Sequence, residues 1–147
     1  GSSMASAAVV GKLGTLVHGV EVGFTRRRPT TPSTFNDEWN FTLASTSSVS
    51  VRIENLAFGV LFGIDNLDGN IDGIITPSGL NFVVNGLAAG PHQLFVKGDV
   101  SGLYGGIYAG GITAVPLPPA IILFGSVLFG FAVVARKRKM GEGALAA

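Results

Sequence analysis

The sequence predicts an all-β protein, an antiparallel β-sandwich followed by a single C-terminal transmembrane α-helix. The sandwich is predicted because short runs of alternating apolar and polar residues are separated by turn-forming residues. The helix is predicted because residues 120–135 are uncharged and almost wholly apolar. The composition agrees with the sandwich, since 22 glycines and a charged fraction of 13% favour strands and tight turns over amphipathic helices.

The β-sandwich is expected to span residues 13–114, a length that can support its own hydrophobic core. We expect residues 1–12 to be an N-terminal leader remnant or a cloning scar. The reason is that Ala-Ser-Ala-Ala at residues 5–8 looks like the sequence around a signal-peptidase site.

Period-two alternation defines the expected strands. One strand face is predicted to carry Phe35, Asp37, Trp39, Phe41 and Leu43. A loop is predicted over residues 26–33 and a turn at Asp68-Gly69. The other alternating sets are Val20, Val22 and Phe24; Val49, Val51 and Ile53; Leu56, Phe58, Val60 and Phe62; Leu80, Phe82 and Val84; Leu94 and Val96; and Tyr108, Gly110 and Ile112.

The C-terminal segment has the pattern of a single membrane span. A helix that starts at Pro119, a favoured first helical residue, and ends at residue 135 is about 25 Å long, the short end of what crosses a bilayer. The basic residues that follow predict a cytoplasmic tail over residues 136–147 and an inner-membrane protein whose upstream residues are periplasmic or extracellular. The alternative is a buried core helix of a soluble protein.

The junction of the two parts resembles the sorting signal of the PEP-CTERM family in its VPLP variant. The motif comes first, then the apolar helix, then the basic cluster, and Leu117 stands where the commoner motif has glutamate. The resemblance implies an exosortase-type partner enzyme that recognises the motif and passes the upstream domain to the cell surface. The motif is Val115, Pro116, Leu117, Pro118 and Pro119, and the basic cluster is Arg136, Lys137, Arg138 and Lys139.

A second motif points to the same family. Phe35, Asp37 and Trp39 resemble the FxDxF motif of one group of small PEP-CTERM proteins, with tryptophan in place of the last phenylalanine. The glycine-rich stretch at residues 105–114 is similar to the final strand of that group. The resemblance implies membership and no catalytic role.

An acidic segment matches the opening of a calcium-binding loop. Asp68, Asn70 and Asp72 place oxygen ligands at alternate positions, Gly73 occupies the sixth position, and Asp65 could add a ligand. The twelfth position, where a bidentate glutamate is expected, is Gly79. Calcium is the one cofactor considered; the alternative is a polar hairpin turn.

Three consecutive arginines, Arg26, Arg27 and Arg28, are candidates for binding acidic polysaccharide, lipid phosphate or a partner protein. The alternative is a solvated loop. Nucleic acid is not an expected partner, because residues 1–119 carry six basic and eight acidic side chains.

The sequence predicts a protein that is not an enzyme. It has no cysteine, only two histidines, and no recognisable nucleophile, phosphate-binding or metalloprotease motif. Three functions stay open, of which an extracellular sugar-binding module rests only on analogy with the sandwich shape. The other two are more specific. The first is a membrane-anchored structural or matrix protein sorted to the cell surface. The second is an accessory single-helix subunit of a larger membrane complex, in which the β-domain packs on periplasmic surfaces of other subunits. The lipid bilayer is a partner in both.

Overall fold

The structure, a computed structural model, describes residues 6–117, and within them it confirms the prediction of an all-β fold. The predicted transmembrane helix and the basic cluster lie outside the described residues. Across residues 6–117 no helix has the length and apolar character needed to cross a membrane. The eight strands are β1 Ala8–Leu16, β2 Val22–Arg28, β3 Thr34–Leu43, β4 Ser47–Asn55, β5 Ile64–Ile71, β6 Asn81–Leu87, β7 Gly90–Val100 and β8 Gly106–Val115.

The strands form two four-stranded sheets. Sheet A has the order β1-β3-β7-β5, and sheet B has the order β2-β8-β4-β6. The alternating apolar residues of β3, β4, β6 and β7 point between the sheets, because successive side chains of a strand face opposite sides. The fully buried centre includes Val49, Val51, Leu94, Val96 and Ile112. The sequence therefore predicted the inner faces of β3, β4 and β7 correctly.

One pair of strands departs from the predicted antiparallel pattern. Strand β1 pairs with β3 in parallel, from Ala8 opposite Asp37 to Leu16 opposite Leu43. The chain reaches β3 only after β2 has run back through sheet B, so β1 and β3 point the same way. Because β1 begins at Ala8, the sandwich includes residues 8–12, which were expected to form a leader remnant or a scar.

Two local predictions in the middle of the chain were wrong. Asp68 and Gly69, predicted as a turn, lie inside β5, which pairs with β7 through a bulge between Asp65 and Asp68. Residues 56–62, predicted as a strand, form a tight turn closed by a bridge between Phe58 and Phe62. Both segments are rich in glycine and apolar residues. The alternation of apolar and polar residues therefore did not show which of the two segments is a strand.

The sandwich has two ends, which the strand registers define. At the exit end, β8 finishes at Val115, opposite Ser48 of β4. At the far end, β8 starts at Gly106, opposite Arg28 of β2. Residues 29–33, 56–63 and 101–105 connect strands at the far end.

Candidate functional site

Strand β3 carries the FxDxF-like motif on its inner face. Its burial alternates strictly, and Phe35, Asp37 and Trp39 all lie in the core between the sheets. Asp37 is only 2% exposed. A carboxylate at such a depth is costly unless hydrogen bonds or ion pairs compensate it, so its partners show what the motif does.

Asp37 is held by residues of the opposite sheet. The Tyr108 hydroxyl of β8 donates to Asp37 Oδ2 at 2.7 Å, and Trp39 Nε1 donates to the Tyr108 oxygen at 3.0 Å. Arg28 Nη1 of β2 lies 3.4 Å from Asp37 Oδ1. We call Arg28, Asp37, Trp39 and Tyr108 the buried cluster. It joins β3 of sheet A to β2 and β8 of sheet B.

Aromatic rings enclose the buried cluster. Phe35 stacks on Tyr108 with ring centroids 5.9 Å apart, and Phe24 lies 5.4 Å from Trp39. The Arg28 guanidinium sits 5.1 Å over the Phe35 ring. Both aromatic residues of the FxDxF-like motif therefore pack around the carboxylate, and the arginine is held by charge and by the ring face.

The surroundings of Tyr108 favour the protonated form of its hydroxyl group. Burial raises the pKa of Tyr108 far above its usual value, and the hydrogen bond and charge of Asp37 raise it further. The phenol therefore stays a donor at all physiological pH. Because the carboxylate is almost inaccessible to solvent, the arrangement suits cross-linking of the two sheets rather than acid–base chemistry on a substrate.

The three arginines are separated by the pleat of β2. They form the end of that strand, not the predicted loop, and pair with residues 106–108 of β8. Arg26 and Arg28 are half-buried, whereas Arg27 is exposed, with its guanidinium 5.6 Å from the Phe62 ring centroid. The triplet is therefore not a continuous basic surface, and Arg27 alone presents an exposed charge to a partner.

Tyr108 is the member of the cluster that sequence reasoning did not assign to a site. The signal was weak: one tyrosine on a glycine-rich strand. The glycines around it serve close packing. A Cβ added at Gly110 would lie 2.7 Å from the Phe24 ring and closer still to the Arg52 carbonyl oxygen. Gly110 is thus required by the close approach of β2 and β4, its neighbours in the same sheet.

The predicted calcium ligands are not brought together. Asp68 and Asn70 lie on β5, in register with Lys97 and Phe95 of β7, so their backbone forms a ladder and cannot curl around a cation. Within residues 6–117 no three acidic or histidine side chains are grouped as a metal site would need. The calcium-loop pattern instead marks an ordinary strand and the turn after it.

Two of the predicted ligands, Asn70 and Asp72, have hydrogen-bond partners in the fold. Asn70 Oδ1 accepts a hydrogen bond from the Gly73 amide at 2.7 Å, which closes the turn after β5. Asp72 accepts from the Gln93 amide at 2.9 Å and contacts His92 Nδ1 at 2.5 Å. Asp65 lies opposite Asp99 on β7. The turn alternative therefore holds only at the end of this segment, at Asp72 and Gly73, because Asp68 and Asn70 belong to β5.

A shallow cleft of about 320 Å³ lies beside β5 and β7. At its rim, the Asp99 carboxylate accepts hydrogen bonds from Asn66 Nδ2 at 3.0 Å and from Thr34 Oγ1 at 2.8 Å. These two hydrogen bonds, that of Asn66 first, hold the pKa of Asp99 below its usual range. The polar groups of Asp99, Asn66 and Thr34 at the rim therefore already bind one another. Asp68 and Lys97 also line the cleft.

His92 gives the fold a dependence on pH. Burial lowers the pKa of His92, but its hydrogen bonds to the Ala88 carbonyl and to Asp72, with the Asp72 charge, outweigh burial and raise that pKa above 6.5. The protonated form therefore stabilises the folded chain. This stabilisation is complete below the unfolded pKa near 6.5 and is lost as pH rises through the higher folded value.

We expect urea unfolding of the full chain in non-ionic detergent, followed by fluorescence of its single tryptophan, to show falling stability as pH rises above about 6.5. His92→Gln should remove most of this slope. His18→Gln, which changes the other histidine, should retain it. An unchanged slope in His92→Gln would contradict the assignment.

The far end of the sandwich exposes a group of large apolar side chains. Phe58, Val60, Leu103 and Tyr104 are between 62% and 73% exposed, and we call them the apolar cap. The cap is ordered by main-chain hydrogen bonds from Leu103 N to the Val60 carbonyl at 3.0 Å and from Tyr104 N to the Leu61 carbonyl at 2.8 Å. An ordered, contiguous apolar patch on a surface is typical of an interaction site.

The sorting motif is described only at its start. Val115 is the last residue of β8, and Pro116 and Leu117 continue without regular structure. Pro118, Pro119 and the basic residues Arg136, Lys137, Arg138 and Lys139 lie outside the described residues. The chain therefore passes directly from the final strand of the sandwich into the motif.

Comparison of the chain with protein-family models and with curated proteins finds no match. The resemblance to PEP-CTERM proteins accordingly rests on the motifs and their order in the chain.

Proposed function

We propose that this protein is a non-enzymatic, membrane-anchored extracytoplasmic protein that carries a PEP-CTERM-like sorting signal and has a structural role at the cell surface or in the extracellular matrix. One observation carries the proposal. The sandwich ends at Val115 of β8, and the chain then runs in order through the proline motif, an uncharged apolar segment and the basic cluster.

The physical support is the cost of placing residues 120–135 anywhere but in a bilayer. Sixteen residues without a charge, followed at once by four basic side chains, match a membrane span with a cytoplasmic cationic end. The structural role is supported by the FxDxF-like motif, whose Asp37 is committed to holding the sheets together. The domain upstream then acts as a display module with a stable core.

The apolar cap favours a second candidate function, that of an accessory single-helix subunit of a larger membrane complex. In this function the chain keeps its helix, and Phe58, Val60, Leu103 and Tyr104 pack on a periplasmic surface of another subunit. The cap lies at the end of the sandwich opposite Val115. A partner that binds there would contact the end of the sandwich where β8 starts and not the end where β8 finishes.

Mass spectrometry of the C-terminus of the protein recovered from its native cell envelope separates the two functions. We expect a mature chain that ends between Pro116 and Pro119 if the sorting signal is processed. A chain with an intact C-terminus that co-purifies with other membrane proteins supports the accessory subunit. In that case the Val60→Asp variant should no longer co-purify with them. Leu56→Asp, a change at a less exposed position beside the cap, is the matched control.

The topology is tested separately, because the chain has no cysteine and single cysteines can be introduced. In spheroplasts of the native host, a membrane-impermeant maleimide should label Thr25→Cys, on the exposed face of β2, without permeabilisation. Gly141→Cys, beyond the basic cluster, should be labelled only after permeabilisation or be absent from processed chains. Labelling of Gly141→Cys in intact spheroplasts would overturn the proposed orientation.

A further inference from the structure

The edges of the two sheets differ in how they are protected against pairing with another strand. An open edge presents unpaired main-chain groups, which proteins usually protect with charges, bulges or covering segments. The β2 edge ends in three arginines, and the β1 edge has bulges near Gly11 and Gly14 and carries Lys12. At β5, Gly69 exchanges two main-chain hydrogen bonds with Gly79, so the following segment covers the edge there.

Within residues 6–117, the β6 edge carries no charge and no covering segment along residues 81–84, and its register irregularity lies after Val84 and before Leu87. Residues 81–85 read Asn-Phe-Val-Val-Asn, with no charge and no proline. In the described part of the chain β6 pairs with β4 alone. Val83 points outward and is 45% exposed. An uncharged edge with high β-propensity is the kind that accepts another strand.

Along β6, residues that hydrogen-bond to β4 alternate with residues that do not. This alternation identifies the main-chain N–H and C=O groups that face the open edge. The Ile53 amide donates to the Leu80 carbonyl, and the register places Val51 opposite Phe82 and Val49 opposite Val84. These are the hydrogen-bonded pairs of the ladder, since such pairs alternate along antiparallel strands. Asn81, Val83 and Asn85 therefore point their main-chain N–H and C=O groups away from β4, toward the open edge.

We propose that the open edge of β6 pairs antiparallel with β6 of a second copy of this chain, about a two-fold axis at Val83. Val83 then lies opposite its own copy, and Asn81 lies opposite the Asn85 of that copy. The pairing forms about six main-chain hydrogen bonds and joins two copies of sheet B into one continuous sheet.

The side chains of the edge suit this self-pairing. Two Val83 side chains meet on the axis, and no charge is brought against a like charge. Asn85 Oδ1 accepts from Ser48 Oγ of β4 at 2.7 Å, which fixes the position of this side chain on β6. A second copy is the favoured occupant because, in each copy, the other three edges are protected and β6 offers the matching open strand.

Disulfide trapping tests the pairing in the full chain, purified in non-ionic detergent. Val83→Cys should form a disulfide-linked dimer on mild oxidation, since hydrogen-bonded antiparallel pairs have Cα separations of about 5.5 Å, within disulfide range. Val9→Cys is the matched control. It replaces an outward valine, 60% exposed, on the protected β1 edge, and it should stay monomeric.

The register is tested by mixing variants. Asn81→Cys and Asn85→Cys should each stay monomeric alone, and the mixture should give a heterodimer, because residue 81 faces residue 85 across the axis. The heterodimer should be lost when Val83→Lys is added to both chains. Trp39 fluorescence should be unchanged in Val83→Lys, because residue 83 lies outside the core.

Three results would overturn the proposal. They are a monomeric Val83→Cys chain under oxidation, equal cross-linking of Val9→Cys, and cross-linking of Asn81→Cys with itself as readily as with Asn85→Cys. Capture of a strand from a different protein at β6, without a Val83→Cys homodimer, would also reject the second copy as the occupant. The pairing goes beyond the proposed function, because it involves neither the sorting signal nor the anchor.

Discussion

Asp37→Ala is expected to lower the free energy of unfolding by about 3 kcal/mol, because it breaks a buried ion pair and removes the acceptor of a buried hydroxyl. The Tyr108 hydroxyl would keep only its bond from Trp39, and the Arg28 guanidinium would lose its counter-ion. This loss of stability is at the low end for a broken buried ion pair, since the Arg28 side chain keeps 12% of its surface in solvent.

The measurement is urea unfolding of the full chain in non-ionic detergent, followed by the fluorescence of Trp39, the single tryptophan of the chain. Because that tryptophan lies in the sandwich core, the signal reports this domain and not the C-terminal segment. Asp65→Ala is the matched control. It removes a carboxylate from the surface of β5 and should change stability by less than about 0.5 kcal/mol.

A double-mutant cycle with Tyr108→Phe tests whether the cluster acts as a unit. The single change should cost about 1–2 kcal/mol, since it removes the hydroxyl and leaves the ring stacked on Phe35. The double variant should be less destabilised than the sum of the single variants, because each change removes the same hydrogen bond. Strict additivity, or an unaffected Asp37→Ala, would show that the cluster does not hold the sheets together.

The sequence could predict β3 because its alternation is strong and its inner face is apolar at every position but one. Phe35, Asp37, Trp39, Phe41 and Leu43 were all assigned to one face, and all are buried. The aspartate fitted neither the apolar face nor a solvent face. Its presence there was the local sign of a buried polar cluster, but its hydrogen-bond donor Tyr108 lies 71 residues away in the chain, and Arg28 lies in the other sheet.

The sequence could not predict the outcome at Arg26 and Arg28. Three adjacent charges before a proline are typical of an exposed loop. In the fold, however, β2 lies at the edge of sheet B, its pleat leaves Arg26 and Arg28 half-buried, and Arg28 meets Asp37 and the Phe35 ring. Tertiary pairing therefore overrides the local pattern, and only the position of β3 in the other sheet explains the burial.

The calcium pattern was misleading for a related reason. Aspartate, asparagine and glycine at alternate positions suit both a cation-binding loop and a bulged edge strand. Both structures need polar side chains and residues that adopt a left-handed backbone conformation. Asn66 adopts a φ of 57° at the β5 bulge and Asp72 one of 55° at the turn. The residues therefore serve backbone geometry. A cation loop and an edge strand differ in whether the segment pairs with β7. No local sequence pattern predicts that pairing.

Gly110→Ala is expected to cost about 3 kcal/mol or more, because the new methyl group has no room. Its Cβ would overlap the Arg52 carbonyl oxygen of β4, a backbone atom that cannot rotate away, and would lie 2.7 Å from the Phe24 ring. Moving Phe24 would in turn disturb Trp39, whose ring is 5.4 Å away, and so the buried cluster. The same urea titration measures the effect.

Gly23→Ala is the control for this substitution. Gly23 lies on β2 of the same sheet, next to β8, and an added Cβ there would have its nearest neighbour at an ordinary 3.7 Å, the Gly110 carbonyl oxygen. We expect this variant to be within about 0.5 kcal/mol of the parent chain or slightly more stable, since alanine restricts the unfolded state. Equal stability of the two alanine variants would mean that β8 is not held against β4 as closely as the structure places it, and that its glycines serve some need other than packing.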